Sequence, residues 1–481
     1  MDPTRHDDER LLQDLGYRQE LARRMSGFSN FAISLSIICI LAGGITSFHV
    51  GLASAGGASL GLGWPLSCLF SLCVAATLAQ VASAFPTAGG LYHWGSLLGG
   101  RACGWVTAWF NLAGLVTVLA AINAGAYDFA QAAFGFDAGA NAALAKTTVV
   151  VAMTLSQGLL NHFGIRLTTR LTDFSGWLIL GVSAVLIVAL LAAVSHFDWA
   201  RLWTFTNFSG QPAEAPVFPR HESLVWMFCL GLLLPAYTIT GFDASAHTAE
   251  ETIGAAANVP RGILRSVWVS ALGGWALLIA LLLALPDVRE GVQRGAAVVP
   301  WILRSALPGP FAVALLLGIL LAQYLCGLAA LTSASRMTYA FARDGGLPCS
   351  GWLRLVNART GSPSVAVWTS ALGSAVLVVV LRYETIAAIG TVFLYVSYVL
   401  PVAAGFFAVG RRWKRFGPFT LGPWFRPLAV IATLGCLFLL VIGVQPPNQQ
   451  ALPILGGTVV LMLVVWFGLE RRRFQGPPRL P

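Results

Sequence analysis

Twelve stretches of predominantly apolar residues recur along this chain, with very few charged residues inside them. A stretch of about 20 such residues spans the hydrocarbon core of a bilayer as a helix. The spans are read near 31–52, 64–84, 103–126, 143–161, 174–195 and 224–241, then 264–286, 311–335, 364–382, 386–409, 427–444 and 451–469. The connections leave no room for a soluble domain. The expected fold is therefore an all-α polytopic membrane protein of twelve transmembrane helices. Composition agrees. Only 10% of the 481 residues are charged and the mean hydropathy is +0.74, against about 25% charged in an ordinary soluble domain. The 51 glycines suit close helix packing in lipid.

The net charge of +10 invites a nucleic-acid reading, but the positions of the charges argue otherwise. With twelve spans, 23 of the 30 basic residues fall on the side of both termini. Seven fall opposite: Lys146, Arg201, Arg220, Arg289, Arg294, Arg304 and Arg382. Basic residues near span ends stay cytoplasmic, so both termini are expected in the cytoplasm, and no nucleic acid is needed to explain the charge. Residues 1–27 are polar and lack a cleavable apolar region. The eight cysteines stand singly, without CxxC or His/Cys metal spacing, and read as buried small hydrophobes. The arginine bias (28 of 30 basic residues) and short termini point to a bacterial inner membrane. "NFS" at 207–209 is a glycosylation sequon only in a eukaryotic host.

Two spans carry interruptions. Span 1 holds Gly43-Gly44 near its middle, followed by Ile45 and Thr46. Paired glycines weaken a helix and let a ligand approach the backbone; the same pair also serves as a packing face for a neighbouring helix. Span 6 holds Pro235, then "TITGFD" at 238–243. A helix restarting there has Asp243 or Ser245 as N-cap, and Thr248-x-x-Glu251 fits a capping box. On one helix, Asp243, His247, Glu250 and Glu251 share a face. The interrupted spans open two five-span halves, 28–196 and 224–410, separated by an extracellular loop at 197–223 and followed by 411–481 with spans 11 and 12. An odd number of spans per half makes the halves enter from opposite sides. Broken helices at matching positions of inverted repeats point to a transporter site at the bilayer midplane. Half-helix N-termini there offer N–H donors to a carboxylate.

Four motifs resemble the amino acid/choline transporter family of the amino acid–polyamine–organocation superfamily. They are "LGYRQELARRMSGFSNFAISLSIICILAGGITSF" at 15–48, "FPTAGGLYHW" at 85–94, "YTITGFDASAHTAEET" with "NVPRGI" between 237 and 263, and "SASRMTYAFARDGGLP" at 333–348. The resemblance implies a LeuT-type five-plus-five fold with two extra spans, and secondary active transport. It implies that Ala42, Gly43, Gly44, Ile45 and Thr46 line the carboxylate end of the substrate site. Tyr237, Thr240, Gly241, Phe242 and Asp243 would line the opposite wall, with Phe242 as an aromatic cap. By analogy with the fold, Thr332-Ser333 in span 8 faces span 1. Those hydroxyls either hold a hard cation or bond back to their own helix. Spans 3 and 10 should contribute residues that no motif identifies.

Several readings stay open at this level. Asp243 either caps a helix or touches a substrate amine or coupling cation; deep in hydrocarbon it requires a partner. His247, Glu250 and Glu251 are expected to form an inner gate with Arg261 or Arg265, with Glu251 alternatively on a solvated face. A metal site is disfavoured because HExxH spacing and a second His/Cys cluster are absent. A membrane-embedded enzyme using Asp243, His247 and Glu250 lacks a complementary nucleophile. Span 5 carries no Lys, which some proton-coupled superfamily members place there; its absence weakens that mechanism and favours sodium or another proton carrier. Asp128 and Asp173 read as interfacial. The functional expectation is a permease for an amino acid or GABA-like amine, working in the plasma membrane by alternating access. It would use a proton or sodium gradient and no cofactor. Choline is the alternative, with Phe242 and Tyr237 beginning an aromatic cage.

Overall fold

The computed structural model describes residues 3–136, 139–381 and 383–478. Arg382 and Arg479, both counted among the basic residues above, lie outside the described residues. The first half runs α1 (Pro3–Asp14), α2 (Gly27–Ile37), α3 (Phe48–Ala55), α4 (Trp64–Ala84), α5 (Leu91–Gly99), α6 (Arg101–Phe134), α7 (Ala142–His162) and α8 (Ile165–Ala193). Then follow α9 (Leu224–Gly231), α10 (Leu233–Thr238), α11 (Ala244–His247), α12 (Ala255–Ala284), α13 (Val288–Arg294), α14 (Val298–Ala306) and α15 (Gly309–Arg343). The chain closes with α16 (Ser350–Leu353), α17 (Ser364–Val380), α18 (Tyr383–Ala408), α19 (Phe425–Gly443), α20 (Ala451–Val465) and α21 (Arg471–Arg473).

Among the described residues, ten helical segments are long and apolar enough to cross a membrane, and two shorter apolar ones, Leu224–Thr238 and Ser364–Val380, accompany them. The protein is an all-α polytopic membrane protein. The periphery is apolar and outward-facing: Trp177 and Val188 on α8, Leu372 and Val379 on α17, and Val464 on α20 are all exposed, as lipid contact requires. The centre holds α2, α6, α12, α15 and α18, whose facing sides are buried. Asn123 and Gln157 exchange amide hydrogen bonds at 2.8 and 2.9 Å, tying α6 to α7. In an apolar medium such a reciprocal pair leaves neither amide unsatisfied. Both ends of the described residues lie on one face, where Arg101 Nη1 donates to Phe474 O and Gly16 packs against Pro478. We call this the terminal face and the other the distal face.

Four expectations are corrected here. The interruption of span 1 falls at Ile38–Cys39, ahead of the glycine pair; Gly43 and Gly44 sit in a π-helical turn over Ile40–Gly44. Gly43 is required by close approach: a Cβ there would meet Thr238 atoms at 2.9–3.1 Å, whereas one at Gly44 would meet open space. Span 8 runs on to Arg343, so Arg336 and Arg343 stand on the end of α15 rather than in a loop. The small and aromatic residues of "ASRMTYAFA" bury this extension. Span 3 likewise runs to Phe134, placing Asp128 on α6, where it pairs with Lys146 at 2.7 Å. Finally, the Thr248–Glu251 capping box does not form. Thr248 Oγ1 bonds back to Ala244 O and Ser245 O, and Glu251 turns to an arginine.

Candidate functional site

The two interruptions face each other in the middle of the molecule. In span 6, α10 ends at Thr238, Gly241 takes φ +89°, and α11 begins only at Ala244. A Cβ on Gly241 would strike Ile37 at 2.2 Å, so this position combines a left-handed backbone with direct contact to the end of α2. Ser34 Oγ donates to Phe242 O at 2.9 Å, stitching α2 to the unwound segment.

Between the breaks lies a space of about 10 Å³, about one water molecule, lined by Ile37, Ala42, Gly43, Val118, Ile122, Tyr237, Thr238, Thr240 and Cys326. Above it, toward the distal face, opens a cavity of ≈ 670 Å³. Thr46, Val50, Asp128, Arg294 and Tyr395 are among its lining residues. Tyr237 lines both spaces and so stands between them.

The sequence-predicted wall residues therefore separate into groups. Ala42, Gly43, Tyr237 and Thr240 line the small central space, and Thr46 lines the larger one. Gly44, Ile45, Gly241, Phe242 and Asp243 line neither. Phe242 is fully buried and packs on Tyr398, ring centroids 4.8 Å apart.

Asp243 occupies the N-cap position of α11, but its carboxylate makes no capping bond. It sits in a fully buried cluster instead. Tyr398 Oη donates to Oδ1 at 2.9 Å, Asn111 Nδ2 donates to Oδ2 at 3.0 Å, and His247 Nε2 lies 3.2 Å from Oδ2. Tyr398 Oη in turn accepts the Gly241 N–H at 3.1 Å, and Asn111 also reaches Ser397 Oγ at 3.2 Å. These are contributions of α6 and α18 that no motif identified. Their signal in the sequence is an isolated Asn or an adjacent Ser-Tyr pair in an apolar span, which many non-functional positions also show.

The terminal face is closed by two buried ion pairs. Glu250 accepts from Arg343 Nη1 and Nη2 at 2.9 and 3.0 Å, and its Oε1 also takes the Ala88 N–H at 3.0 Å. Glu251 is held by Arg336 Nε and Nη2 at 3.0 and 3.1 Å, with both side chains fully buried. Such two-point pairing satisfies the planar guanidinium and carboxylate together. Arg261 and Arg265, the expected partners, are exposed, and the solvated reading of Glu251 is excluded by its burial. Nor do the four groups act as one face. The chain turns into a 3₁₀ segment at Ala249–Glu251, which sends His247 to Asp243 and the two glutamates to α15.

Thr332 Oγ1 lies 2.8 Å from Asn161 Oδ1 and 2.9 Å from its own helix at Leu328 O. The Ser333 hydroxyl is buried with no hydrogen-bond partner among the described residues. The carbonyls beside the span 1 break meet protein donors: Ile37 O takes the Cys326 thiol at 3.4 Å and Leu41 O takes Gln323 Nε2 at 3.1 Å. No group of three or more His, Cys, Asp or Glu side chains suited to a metal occurs among the described residues.

Facing helix breaks, a cavity on one side and closed ion pairs on the other define a multi-pass transport protein. The comparisons carry this further. The family profile described as "Amino acid permease" matches residues 25–469. The chain is 34% identical to the amino-acid permease BAT1 of Arabidopsis thaliana, over 97% of this chain and 95% of the plant protein. It is 33% identical to the BAT1 homolog of Oryza sativa subsp. japonica, over 97% and 94%. It is 28% identical to the GABA-specific permease of Saccharomyces cerevisiae, over 92% and 79%. The chain belongs to the amino acid permease family, within the amino acid–polyamine–organocation superfamily. It is a transporter and not an enzyme.

Proposed function

We propose that this chain is a secondary active permease for an amino acid or GABA-like amine, working by alternating access. The observation that carries this reading is the central space between the two helix breaks, reached from a cavity on the distal side and sealed by Glu250–Arg343 and Glu251–Arg336 on the terminal side. On this reading the structure is the distal-open state. The two five-span halves, 28–196 and 224–410, form an inverted repeat of LeuT type, with two further spans in 411–481. Both termini are cytoplasmic in the plasma membrane, as the distribution of basic residues supports.

Ala42, Gly43, Tyr237, Thr238 and Thr240 then hold the backbone end of the substrate. Among the described residues Tyr237 is the only aromatic in that lining, which favours an amine that donates hydrogen bonds over the quaternary amine of choline. We assign coupling to the proton. The Ile37 and Leu41 carbonyls that a sodium ion would draw on are engaged by Cys326 and Gln323. Asp243 and His247 form a fully buried carboxylate–imidazole pair, joined through Tyr398 to the backbone of the unwound segment.

The test is uptake of labelled amino acids, GABA and choline into proteoliposomes, under an imposed pH gradient or an imposed sodium gradient. Uptake driven by the pH gradient alone is expected. Sodium-driven uptake would remove the coupling assignment, and no uptake of any of these compounds would sink the permease reading.

A further inference from the structure

The segment before the first membrane helix has no role in the site as described, yet it is bound into the terminal gate. Asp8 accepts the N–H groups of Gly254 and Ala255 at 2.7 and 3.0 Å, capping the start of α12. Gln19 Nε2 donates to Glu250 O at 2.9 Å, and Arg23 Nη1 donates to Ala249 O and Thr252 O at 3.2 and 2.5 Å. Arg24 N and Met25 N both donate to Glu251 O at 2.8 Å, and Ile253 N donates to Met25 O at 2.9 Å. Residues 8–25 therefore bind the backbone of the two gate glutamates from below.

One side chain of this segment also reaches their partners. The Arg343 guanidinium lies over the Tyr17 ring, 3.9 Å from its centroid. Tyr17 Oη donates to Asp344 Oδ2 at 2.8 Å, sharing that atom with Tyr92 Oη, also at 2.8 Å. Tyr17 is itself 5% exposed, so the cation–π contact is made away from water, where it is strongest. Glu20 adds a second tie to α15 by accepting from Tyr339 Oη at 2.8 Å.

We propose that residues 8–25 are a latch on the terminal gate, with Tyr17 the positioning residue that holds Arg343 against Glu250. The geometry follows from what must move. Opening the terminal side separates the Glu250–Glu251 segment from the end of α15. The latch contacts both, through Gln19, Arg23 and Met25 on one and Tyr17 and Glu20 on the other. Gate opening therefore requires the latch to leave at least one of them. A latch that binds one state and not the other shifts the equilibrium by its differential affinity. Here it favours the state with the distal cavity open. This inference rests on the alternating-access reading.

The test places its reporter on the far side of the protein, where a merely local role for Tyr17 has no effect. Val50 lines the distal cavity. Full-length Val50→Cys protein in detergent micelles, where both faces are open to solvent, is reacted with a hydrophilic maleimide, and labelled peptides are quantified by mass spectrometry. The exposed native Cys349 serves as the internal control.

Adding Tyr17→Ala is expected to slow Val50→Cys labelling by about fivefold or more, the range of a typical coupling between sites, with the Cys349 rate unchanged. Tyr17→Phe keeps the ring under Arg343 but loses the Asp344 bond, and should fall between. An unchanged Val50→Cys rate in a correctly inserted Tyr17→Ala protein overturns the proposal. If that variant fails to assemble, Tyr17→Phe decides, and equality with the parent overturns it. Slowed labelling in a protein that moves no substrate would sink the permease reading while leaving the latch in place.

Discussion

Asp243 and Tyr398 meet at 2.9 Å in the buried centre of the protein, linking the unwound part of span 6 to α18. Tyr398 also receives the Gly241 N–H, so one phenol connects a carboxylate to the backbone of the break. This gives the carboxylate a structural consequence: a change in its protonation alters the hydrogen bond that Tyr398 can donate.

If Asp243 carries the coupling proton, Asp243→Asn keeps the acceptor for Tyr398 but removes the titration. Uptake driven by a pH gradient should fall to background, while exchange of substrate across the membrane at equal pH continues. Tyr398→Phe should weaken both, because it leaves the buried Gly241 N–H unpaired at a cost of about 1–3 kcal/mol. Retained pH-driven uptake in Asp243→Asn would exclude this residue as the carrier.

The two glycines of span 1 should behave oppositely. Gly43→Val drives a side chain into Thr238, whose atoms already stand 2.9–3.1 Å from the position of a Cβ. Substrate binding should be lost in inserted protein, and Thr238→Ala should restore part of it for Gly43→Ala. Gly44→Ala meets open space and should leave affinity within about twofold, since it removes no contact. Binding isotherms on Gly43→Val, Gly43→Ala with and without Thr238→Ala, and Gly44→Ala check this.

Arg343→Ala leaves Glu250 buried and without its ionic partner, and the converse holds for Glu250→Ala. Breaking a buried pair from one side costs about 3–5 kcal/mol, so each variant should lower the apparent melting temperature. The double variant should lose much less than the sum of the two. Additive losses in that cycle would show that the pair is not coupled.

His93 on α5, outside the spans, gives a pH prediction. Burial and the nearby Arg343 charge lower its pKa to about 3, while unfolded chain takes up the proton near 6.5. The neutral ring is thus favoured in the fold above pH 6.5, and that stability is lost as pH falls from there toward 3. At about pH 5 the loss is about 2 kcal/mol. The apparent melting temperature should decline from pH 7 to 5, and His93→Gln should flatten that decline.

The sequence by itself determined the membrane class, the helical content, the family and the neighbourhood of the helix breaks. Each of these follows from local chemistry. Long uncharged stretches have no stable arrangement but membrane helices, and "TGFD" breaks a helix wherever it is placed, as the φ of +89° at Gly241 bears out. The sequence misplaced what depends on partners distant in the chain. Arg336 and Arg343 fall beyond the expected span end at 335 yet stand on α15, because helix length past an apolar run is set by what buries it. The expected faces of Phe242 and Asp243 gave way because Asn111 and Tyr398, 132 and 155 residues away, claim them. Glu250, Glu251 and His247 looked like one face of a helix, and only the turn at Ala249–Glu251 separated them. Where a buried charge goes is decided by which opposite charge or donor the tertiary structure brings within about 3 Å, because in a low-dielectric interior an unpaired charge is the costliest outcome.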